Sequence, residues 1–263
     1  MRAIALGVAL SVAMLASARA EPVEIPAEGV SLQAQLFEPA GPARAPSVVA
    51  LHGCGGPFPS RDRQWREILL EHGHSVLFPD SFASRGLGSQ CSVRDRRVRP
   101  GRERKADTMA AVRWMTERAG TPPGGVVVLG WSNGGSTVLA AAAEGVMPPG
   151  SVRGFVAFYP GCLPEADRAG WSPSAPLLIL MGADDDWTPA EPCRRLAARF
   201  PDRITLVEYP GAYHDFDAPN RPIVTRSGLA YTANGSGIAH AGTNEPARQD
   251  SFGRVLSFLD GLR

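Results

Sequence analysis

One stretch of the sequence places a serine where it could act as a nucleophile. The apolar run Val126–Leu129 leads into the G-x-S-x-G pentapeptide at residues 130–134, and a segment rich in Ala and Leu follows at residues 136–143. A strand, a sharp turn and a helix in this order lift a seryl oxygen above the edge of a sheet. The two outer glycines leave room where the strand and the helix pass each other. We therefore predict that Ser132 is a nucleophile.

Serine becomes a nucleophile at neutral pH only when an imidazole takes its proton, and a carboxylate must hold that imidazole in the right tautomer. Asp185 and His214 each follow an apolar run that predicts a strand, at residues 177–181 and 204–209. The loops at the carboxyl ends of the strands line the site of an open α/β sheet. The order serine, aspartate, histidine along the chain is that of an α/β-hydrolase. We predict that Ser132, Asp185 and His214 form a catalytic triad.

Four other histidines compete with His214 for the role of base. His52 lies at the end of an early strand and comes too soon in the chain for the expected order. His72 and His74 flank the end of a predicted helix, where capping or a place on the surface is the ordinary role. His240 lies in a late stretch of loop-like composition and stays an alternative base.

A hydrolase of this kind also needs two backbone N–H donors for the oxyanion, fixed before the charge develops. The N–H of Asn133, which follows the nucleophile, is predicted to be one of them. The other is predicted to be the N–H of Cys54, in the small-residue loop at residues 52–56, because small residues let the chain approach the substrate. The alternative is that this loop is only a flexible connection after a strand.

The elements that must position these residues alternate between strands and helices. A hairpin is predicted at residues 22–39. Further strands are predicted at residues 47–51, 75–78, 126–129 and 152–159, helices at 61–72, 104–118, 190–200 and 246–262, and loop-like chain at 217–244. Such alternation predicts an α/β fold with a mostly parallel central sheet and helices on both faces. No linker divides the chain, so residues 21–263 are predicted to form a single domain.

The first twenty residues have the pattern of a secretory signal peptide. Arg2 precedes an apolar run at residues 3–15, and Ala18-Arg19-Ala20 forms a small-x-small cleavage site before Glu21. The run is too short to span a bilayer comfortably, although an uncleaved anchor is the alternative. We expect residues 1–20 to be removed and the protein to be periplasmic or secreted, without stable membrane insertion.

The balance of charge excludes some classes of partner. The formal net charge of the chain is +1. A charge so close to zero argues against general binding to nucleic acid and against recruitment to a membrane surface. The predicted triad implies a small-molecule ester or lactone substrate as the partner, and the sequence does not indicate an oligomeric state.

Four cysteines permit two disulfides in an exported protein, with three possible connectivities. Pairs Cys54–Cys91 and Cys162–Cys193 would join neighbouring strand-end loops, and we prefer them. In a reducing compartment the same residues would be small buried hydrophobes. No C-x-x-C or H-x-x-x-H spacing occurs, so no metal site is predicted.

The irregular stretch at residues 79–103 is rich in arginine, and the role of this arginine-rich loop, residues 85–104, has two interpretations. Guanidinium groups could form a rim over the site that binds carboxylates or phosphates. The ordinary alternative is a solvated loop with local ion pairs. The arginines are Arg85, Arg94, Arg96, Arg97, Arg99 and Arg102.

Three motifs together resemble the dienelactone hydrolase family. They are residues 130–135, the spacing G-x-x-D-x-x-x-P over Gly182, Asp185 and Pro189, and residues 211–216. The likeness runs from Ser47 to the final helix and implies the α/β-hydrolase fold, with no metal or organic cofactor. It also implies that the acid of the triad is Asp185, whereas residue chemistry alone does not separate it from the neighbouring Asp184 and Asp186.

The chain departs from the family pattern at two points. The founding members use a cysteine nucleophile where this chain has Ser132, and their contacts to the substrate carboxylate have no clear match, with Arg85 as a possible stand-in. We therefore expect an exported serine hydrolase that cleaves an ester or lactone through an acyl-enzyme. The alternatives are a peptidase or acyltransferase on the same triad, and a non-catalytic binding module on the same scaffold.

Overall fold

The computed structural model describes residues 20–262, and these fold around one sheet of eight strands. The strands are β1 (Ala20–Ala27), β2 (Val30–Phe37), β3 (Ser47–Leu51), β4 (Val76–Pro79), β5 (Val126–Trp131), β6 (Val152–Phe158), β7 (Leu177–Gly182) and β8 (Ile204–Tyr209). Their spatial order is β1-β2-β4-β3-β5-β6-β7-β8. The pairs β1–β2 and β2–β4 are antiparallel, and all other neighbours are parallel.

Helices connect the parallel strands and cover the sheet. They are α1 (Pro59–Glu71), α2 (Lys105–Glu117), α3 (Asn133–Ala141), α4 (Leu163–Ala166), α5 (Glu191–Arg199) and α6 (Glu245–Gly261). Helices α1 and α6 meet where Trp65 packs edge-on against Phe252, with ring centroids 5.1 Å apart. Helix α2 contacts α3. The predicted α/β fold with a mostly parallel central sheet is confirmed.

The central strands are buried along their whole length. Every residue of β3, β5 and β7 is buried. A strand of a parallel sheet that is covered on both faces needs a continuous apolar sequence, and this is why these strands read as unbroken runs. Because β5, β6, β7 and β8 run parallel in one sheet, the residues that follow β5, β7 and β8 emerge at the same edge.

The late stretch predicted as loop, residues 217–244, contains a small second sheet. Strand β9 (Val224–Arg226) pairs antiparallel with β10 (Ala239–Ala241), and we call this pair the ribbon. The ribbon is attached to the main fold through the His214 loop, since the N–H of Gly242 donates to the His214 carbonyl at 2.9 Å. Strands of three residues are too short for a pattern of alternation, so the sequence does not reveal them.

The cysteines form the two predicted disulfides, Cys54–Cys91 and Cys162–Cys193, and no cysteine in residues 20–262 is free. Of the predicted signal peptide, only Ala20 falls within the described residues, where it begins β1; residues 1–19 lie outside them. Within the described part of the chain, no helix has the length and apolar character needed to cross a membrane.

Candidate active site

Ser132 lies on the sharp turn between β5 and α3. Its backbone has φ 55° and ψ −116°, a conformation that L-residues rarely adopt and that costs free energy unless the surroundings hold it. The N–H of Ser132 donates to the Phe158 carbonyl at 2.9 Å, which fixes the turn to the neighbouring strand. The glycines on both sides are sterically required, because a Cβ at Gly130 would lie 2.5 Å from the Gly134 carbonyl oxygen and one at Gly134 would overlap Leu51.

The structure brings Ser132, Asp185 and His214 together in one chain of hydrogen bonds. The hydroxyl oxygen of Ser132 lies 2.8 Å from Nε2 of His214, and Nδ1 of His214 lies 2.8 Å from Oδ2 of Asp185. With a neutral imidazole, Nδ1–H donates to the carboxylate and Nε2 accepts from the serine hydroxyl. This is the arrangement in which an imidazole can take the proton of a serine.

The electrostatics of the site favour a base of raised pKa. The His214 and Asp185 side chains are 1% and 0% exposed. Burial lowers the pKa of His214, but the negative charge and the hydrogen bond of Asp185 outweigh it, so the pKa is raised above its ordinary value. Asp185 is itself held by the backbone N–H groups of Trp187 and Thr188, each at 2.9 Å. The carboxylate therefore stays in place beneath the imidazole.

The neighbouring aspartates take no part in this chain of bonds. Asp186 pairs with the alternative base, His240, whose Nδ1 lies 2.7 Å from Oδ2 of Asp186. The backbone N–H of Asp184 donates to the Ala212 carbonyl at 3.1 Å. Only the tertiary structure separates the three adjacent aspartates, because it decides which carboxylate faces His214.

The remaining histidines have backbone partners instead of Ser132. Nδ1 of His52 lies 2.8 Å from the Gly53 carbonyl oxygen. Nδ1 of His72 and Nδ1 of His74 lie at the same distance from the carbonyl oxygens of Ile68 and Pro46, respectively. Nε2 of His52 also accepts the N–H of Ser81 at 3.3 Å. Burial lowers the pKa of His52, which is consistent with a neutral structural imidazole.

The two residues predicted to supply oxyanion donors both border the nucleophile. Asn133 is the first residue of α3, where backbone N–H groups have no partner inside the helix, and Cys54 lines the same cavity as Ser132. A Cβ on Gly53 would lie 3.6 Å from that of Ser132, so the loop at residues 52–56 passes close to the elbow. Their N–H groups remain predicted donors.

Arg104 ties the elbow to this loop, a role that the sequence did not reveal. Its guanidinium donates to Oδ1 of Asn133 at 2.6 Å and to the carbonyl of His52 at 2.8 Å. The side chain is buried, and burial lowers its pKa to about 9. An arginine in an arginine-rich loop gives no sign of burial, so only packing identifies it.

Asp217 is a second residue that sequence reasoning missed. Its buried carboxylate accepts the indole N–H of Trp65 at 2.7 Å, the indole N–H of Trp131 at 2.8 Å and the hydroxyl of Tyr159 at 2.6 Å. Burial raises the pKa of Asp217, and the positive charge of Arg61 opposes this. Asp217 belongs to the loop of His214, and Trp131 immediately precedes the nucleophile, so the carboxylate links the two halves of the site.

Ser132 lines two cavities. The larger, of about 780 Å³, is also lined by Asn133, Trp187, Leu163 and Tyr231. The smaller, of about 200 Å³, is also lined by His214, Arg61, Arg221 and Arg226. A substrate with its carbonyl at Ser132 would therefore have space beside the nucleophile.

The arginine-rich loop divides between the two predicted roles. Arg85 forms a bidentate ion pair with Asp107, both N···O distances being 2.8 Å, and lines neither cavity next to Ser132. The expectation that Arg85 replaces the family's substrate contact is thus not supported, because its guanidinium is already occupied. Four others line the larger cavity: Arg94, Arg96, Arg97 and Arg99.

No group of three or more His, Cys, Asp or Glu side chains within residues 20–262 is arranged to hold a metal ion. The described residues instead offer a serine, an imidazole and a carboxylate that are joined by hydrogen bonds.

Comparison with known proteins identifies the family. The model of the dienelactone hydrolase family matches residues 32–262 of the chain. No curated protein matches the sequence. Among solved structures, a putative dienelactone hydrolase from Klebsiella pneumoniae is similar, with 20% identity and a TM-score of 0.70, over 93% of this chain and 99% of that one.

Two further structures share the fold. A dienelactone hydrolase-like promiscuous phosphotriesterase from metagenomic libraries has 18% identity and a TM-score of 0.71, over 93% of this chain and 98% of its own. A dienelactone hydrolase from Anabaena variabilis has 23% identity and a TM-score of 0.59, over 78% and 91%. Together with the profile match, the elbow and the eight-stranded sheet, these likenesses lead to one conclusion: the chain belongs to the dienelactone hydrolase family within the α/β-hydrolase superfamily.

Proposed function

We propose that the protein is an exported serine hydrolase that cleaves an ester or a lactone of a small molecule through an acyl-enzyme. The observation that carries this proposal is the line of hydrogen bonds from Ser132 through His214 to Asp185, at 2.8 Å each. His214 takes the proton of Ser132 as the serine oxygen attacks the carbonyl carbon. Asp185 orients His214 and stabilises the imidazolium that forms.

The later steps of the reaction use the same residues, and His214 now returns the proton that it took. The backbone N–H groups of Asn133 and Cys54 hold the oxyanion of the tetrahedral intermediate, and His214 returns the proton to the leaving alcohol. In a lactone the leaving oxygen stays attached to the acyl group. Water then attacks the acyl-enzyme with His214 as base, and the acid product leaves Ser132 free.

Export is supported by two independent features of the chain. The signal-like pattern at residues 1–20 directs a protein out of the cytoplasm, and the pairs Cys54–Cys91 and Cys162–Cys193 are disulfides. Disulfides persist in oxidising compartments and are rare in the cytosol. Periplasmic or secreted location accounts for both.

The decisive experiment is labelling with a fluorophosphonate probe, followed by peptide mapping of the adduct. Such a probe reacts with a serine only when its oxygen is activated. We expect one adduct, on Ser132, that is lost in Ser132→Ala and in His214→Ala. His240→Ala is the matched control, because it removes the histidine that is paired with the neighbouring Asp186 and should leave labelling intact.

Folded protein that takes no label would refute the proposal and favour the non-catalytic binding module. A second measurement separates the catalytic alternatives. Turnover of p-nitrophenyl esters and lactones, without turnover of matched anilides and without acyl transfer to added alcohols, is expected of an esterase. Preference for the amide would identify a peptidase, and acyl transfer an acyltransferase.

A further inference from the structure

The large hydrophobic side chains that residues 20–262 leave exposed are gathered in two segments. Their exposed fractions lie between 41% and 52%, and we call them the apolar rim: Leu163, Ile223, Val224, Tyr231 and Ile238. Single exposed hydrophobic residues are normal, but a group of them around one opening marks an interaction surface. The remaining helices and the eight-stranded sheet contribute no member within the described chain.

The apolar rim borders the larger of the two cavities. Leu163 and Tyr231 line that cavity. Ile223 and Val224 lie between Arg221 and Arg226 in the chain, and these two arginines line the smaller cavity. The rim therefore reaches the cavity that contains Ser132 through Leu163 and Tyr231, and its other members are neighbours in the chain of residues that line the smaller cavity.

The ribbon points part of the rim outward. Side chains alternate between the two faces of a paired strand. Ala239 and Ala241 of β10 are buried, so their face of the ribbon lies against the protein. Ile238 is one residue before Ala239 and is 48% exposed, and Ile223 is 49% exposed. Each lies one residue before a paired strand, and alternation places both on the outer face, where about half of each side chain is exposed.

A strong local positive charge adjoins the rim. Residues 91–105 carry seven cationic and two acidic side chains, whereas the net charge of the whole chain is only +1. Arg94, Arg97 and Arg99 are exposed, and within residues 20–262 no carboxylate lies within 4.0 Å of their guanidinium groups. Because salt screens charges beyond about 8–10 Å, an approaching surface responds to this patch and not to the net charge.

The basic loop and the rim form one continuous surface. The Arg96 guanidinium lies over the ring of Tyr231, 4.7 Å from its centroid, and the Tyr231 hydroxyl donates to the Arg94 carbonyl at 2.6 Å. The N–H of Ala230 donates to the Cys91 carbonyl at 2.9 Å, beside the Cys54–Cys91 disulfide. Apolar and cationic groups thus alternate over a surface that is held together by hydrogen bonds.

We propose that the apolar rim and the arginines of residues 94–99 dock the protein reversibly on an anionic lipid surface, with the larger cavity turned toward the lipid. Aliphatic side chains among cations suit a lipid headgroup layer, into which the apolar groups can sink while the guanidinium groups meet the phosphates. A soluble polyanion would engage the arginines but would leave Ile223 and Ile238 exposed to water. The docking would supply amphiphilic esters to the proposed hydrolase, but vesicle binding itself does not depend on the activity of Ser132.

The test is flotation of the full chain with lipid vesicles, using the Ser132→Ala variant so that no lipid is hydrolysed. We expect binding to vesicles of phosphatidylcholine and phosphatidylglycerol in equal parts, little binding to phosphatidylcholine alone, and release at high salt. The double variant Ile223→Asp/Ile238→Asp should bind roughly tenfold less, since both side chains lie on the outer face of the ribbon and each charge resists entry into the headgroup layer. Ala119→Asp is the matched control, because Ala119 is exposed and follows α2, away from the rim.

The same substitutions in the chain with Ser132 intact should leave fluorophosphonate labelling and hydrolysis of a soluble ester unchanged, which shows that the fold and the site survive. If the parent protein takes no fluorophosphonate label, that result counts against the proposed hydrolase and not against docking. Absence of binding to anionic vesicles would overturn the docking proposal. So would equal binding of the double variant and the parent, with loss only in Arg97→Gln/Arg99→Gln, because that result indicates a polyanion site.

Discussion

Two histidine–aspartate pairs lie within the same active-site region, built from adjacent aspartates, and only one of them faces a serine. In both pairs Nδ1 of the imidazole contacts an aspartate oxygen: His214 and Asp185 at 2.8 Å, His240 and Asp186 at 2.7 Å. Bond length therefore does not distinguish them. The difference lies in what surrounds each pair.

The His214 pair is buried, with side chains 1% and 0% exposed, whereas those of His240 and Asp186 are 40% and 37% exposed. A pair in water gains little from its attraction, because solvent screens the charges. The far nitrogen of His214 lies 2.8 Å from the Ser132 oxygen. Asp186 accepts the backbone N–H of His240 at 2.8 Å, so its carboxylate fastens the ribbon. Burial and a third partner separate a catalytic geometry from a structural one.

Removing the imidazole of each pair in turn should give the largest difference in kcat between the two histidine–aspartate pairs. His214→Ala and Ser132→Ala are each expected to lower kcat by about 10⁵-fold or more, since proton transfer to and from the nucleophile is lost. His240→Ala should change kcat by less than about threefold, because its imidazole is partly exposed and is paired with Asp186 instead of Ser132. Ester hydrolysis at saturating substrate measures both, and a large loss in His240→Ala would assign the base role to His240.

Substitution of Asp185 should lower kcat much more than substitution of Asp186, as with the two histidines. Asp185→Asn is expected to lower kcat by about 10⁴-fold, because an amide holds the wrong tautomer of His214. Asp186→Asn removes a surface carboxylate of nearly identical shape and should cost less than about threefold. Steady-state kinetics of the two variants side by side measure the difference, with circular dichroism as a check of folding. Equal losses would mean that the triad acid is misassigned.

Substitution of Asp217 should have an intermediate effect on kcat. Within residues 20–262, no buried carboxylate of this kind lies behind the pair of His240 and Asp186. Asp217→Asn replaces one of the two acceptor oxygens by an amide NH₂ group, whereas the carboxylate accepts from three donors, two of which are indole N–H groups that cannot accept in return. We expect Tm to fall and kcat to drop by roughly tenfold, while KM changes little. An unchanged kcat in a destabilised variant would show that Asp217 is purely structural.

The pH dependence of activity should show the smallest of the expected effects, a shift of its midpoint. The pKa of His214 is raised because Asp185 outweighs burial, and the protonated imidazole cannot accept the serine proton. Activity should therefore be low in acid and should rise with pH through a midpoint above the usual value near 6.5. His240→Ala should leave the midpoint where it is, and Asp185→Asn should lower it in the residual activity. A midpoint that follows His240 would contradict the assignment.

The main sheet and the position of the nucleophile could be predicted from the sequence because both depend on local pattern. Val126–Leu129 is apolar throughout because β5 is buried on both faces, and Gly130 and Gly134 are small because backbone atoms occupy the space of their missing side chains. Strand ends on one sheet edge meet in space, so Ser132 and His214 could be placed together without coordinates.

The ribbon, the buried carboxylate of Asp217 and the roles of the arginines could not be predicted in this way. Each depends on burial and on partners far away in the chain. Asp217 is bonded to Trp65 and Tyr159, and Arg104 is bonded to His52 and Asn133. A charged residue has the same sequence signature on the surface and in the interior.

By itself, the sequence determined the α/β architecture and the turn that carries Ser132, since local apolar pattern and steric need fix these, whereas it left three cysteine pairings open and the structure selected the preferred one. Only the tertiary structure decided which aspartate faces His214, which arginines are occupied and which apolar residues stay exposed around the cavities. Pair distances and burial belong to the folded chain, because they arise from packing between segments that are remote in sequence.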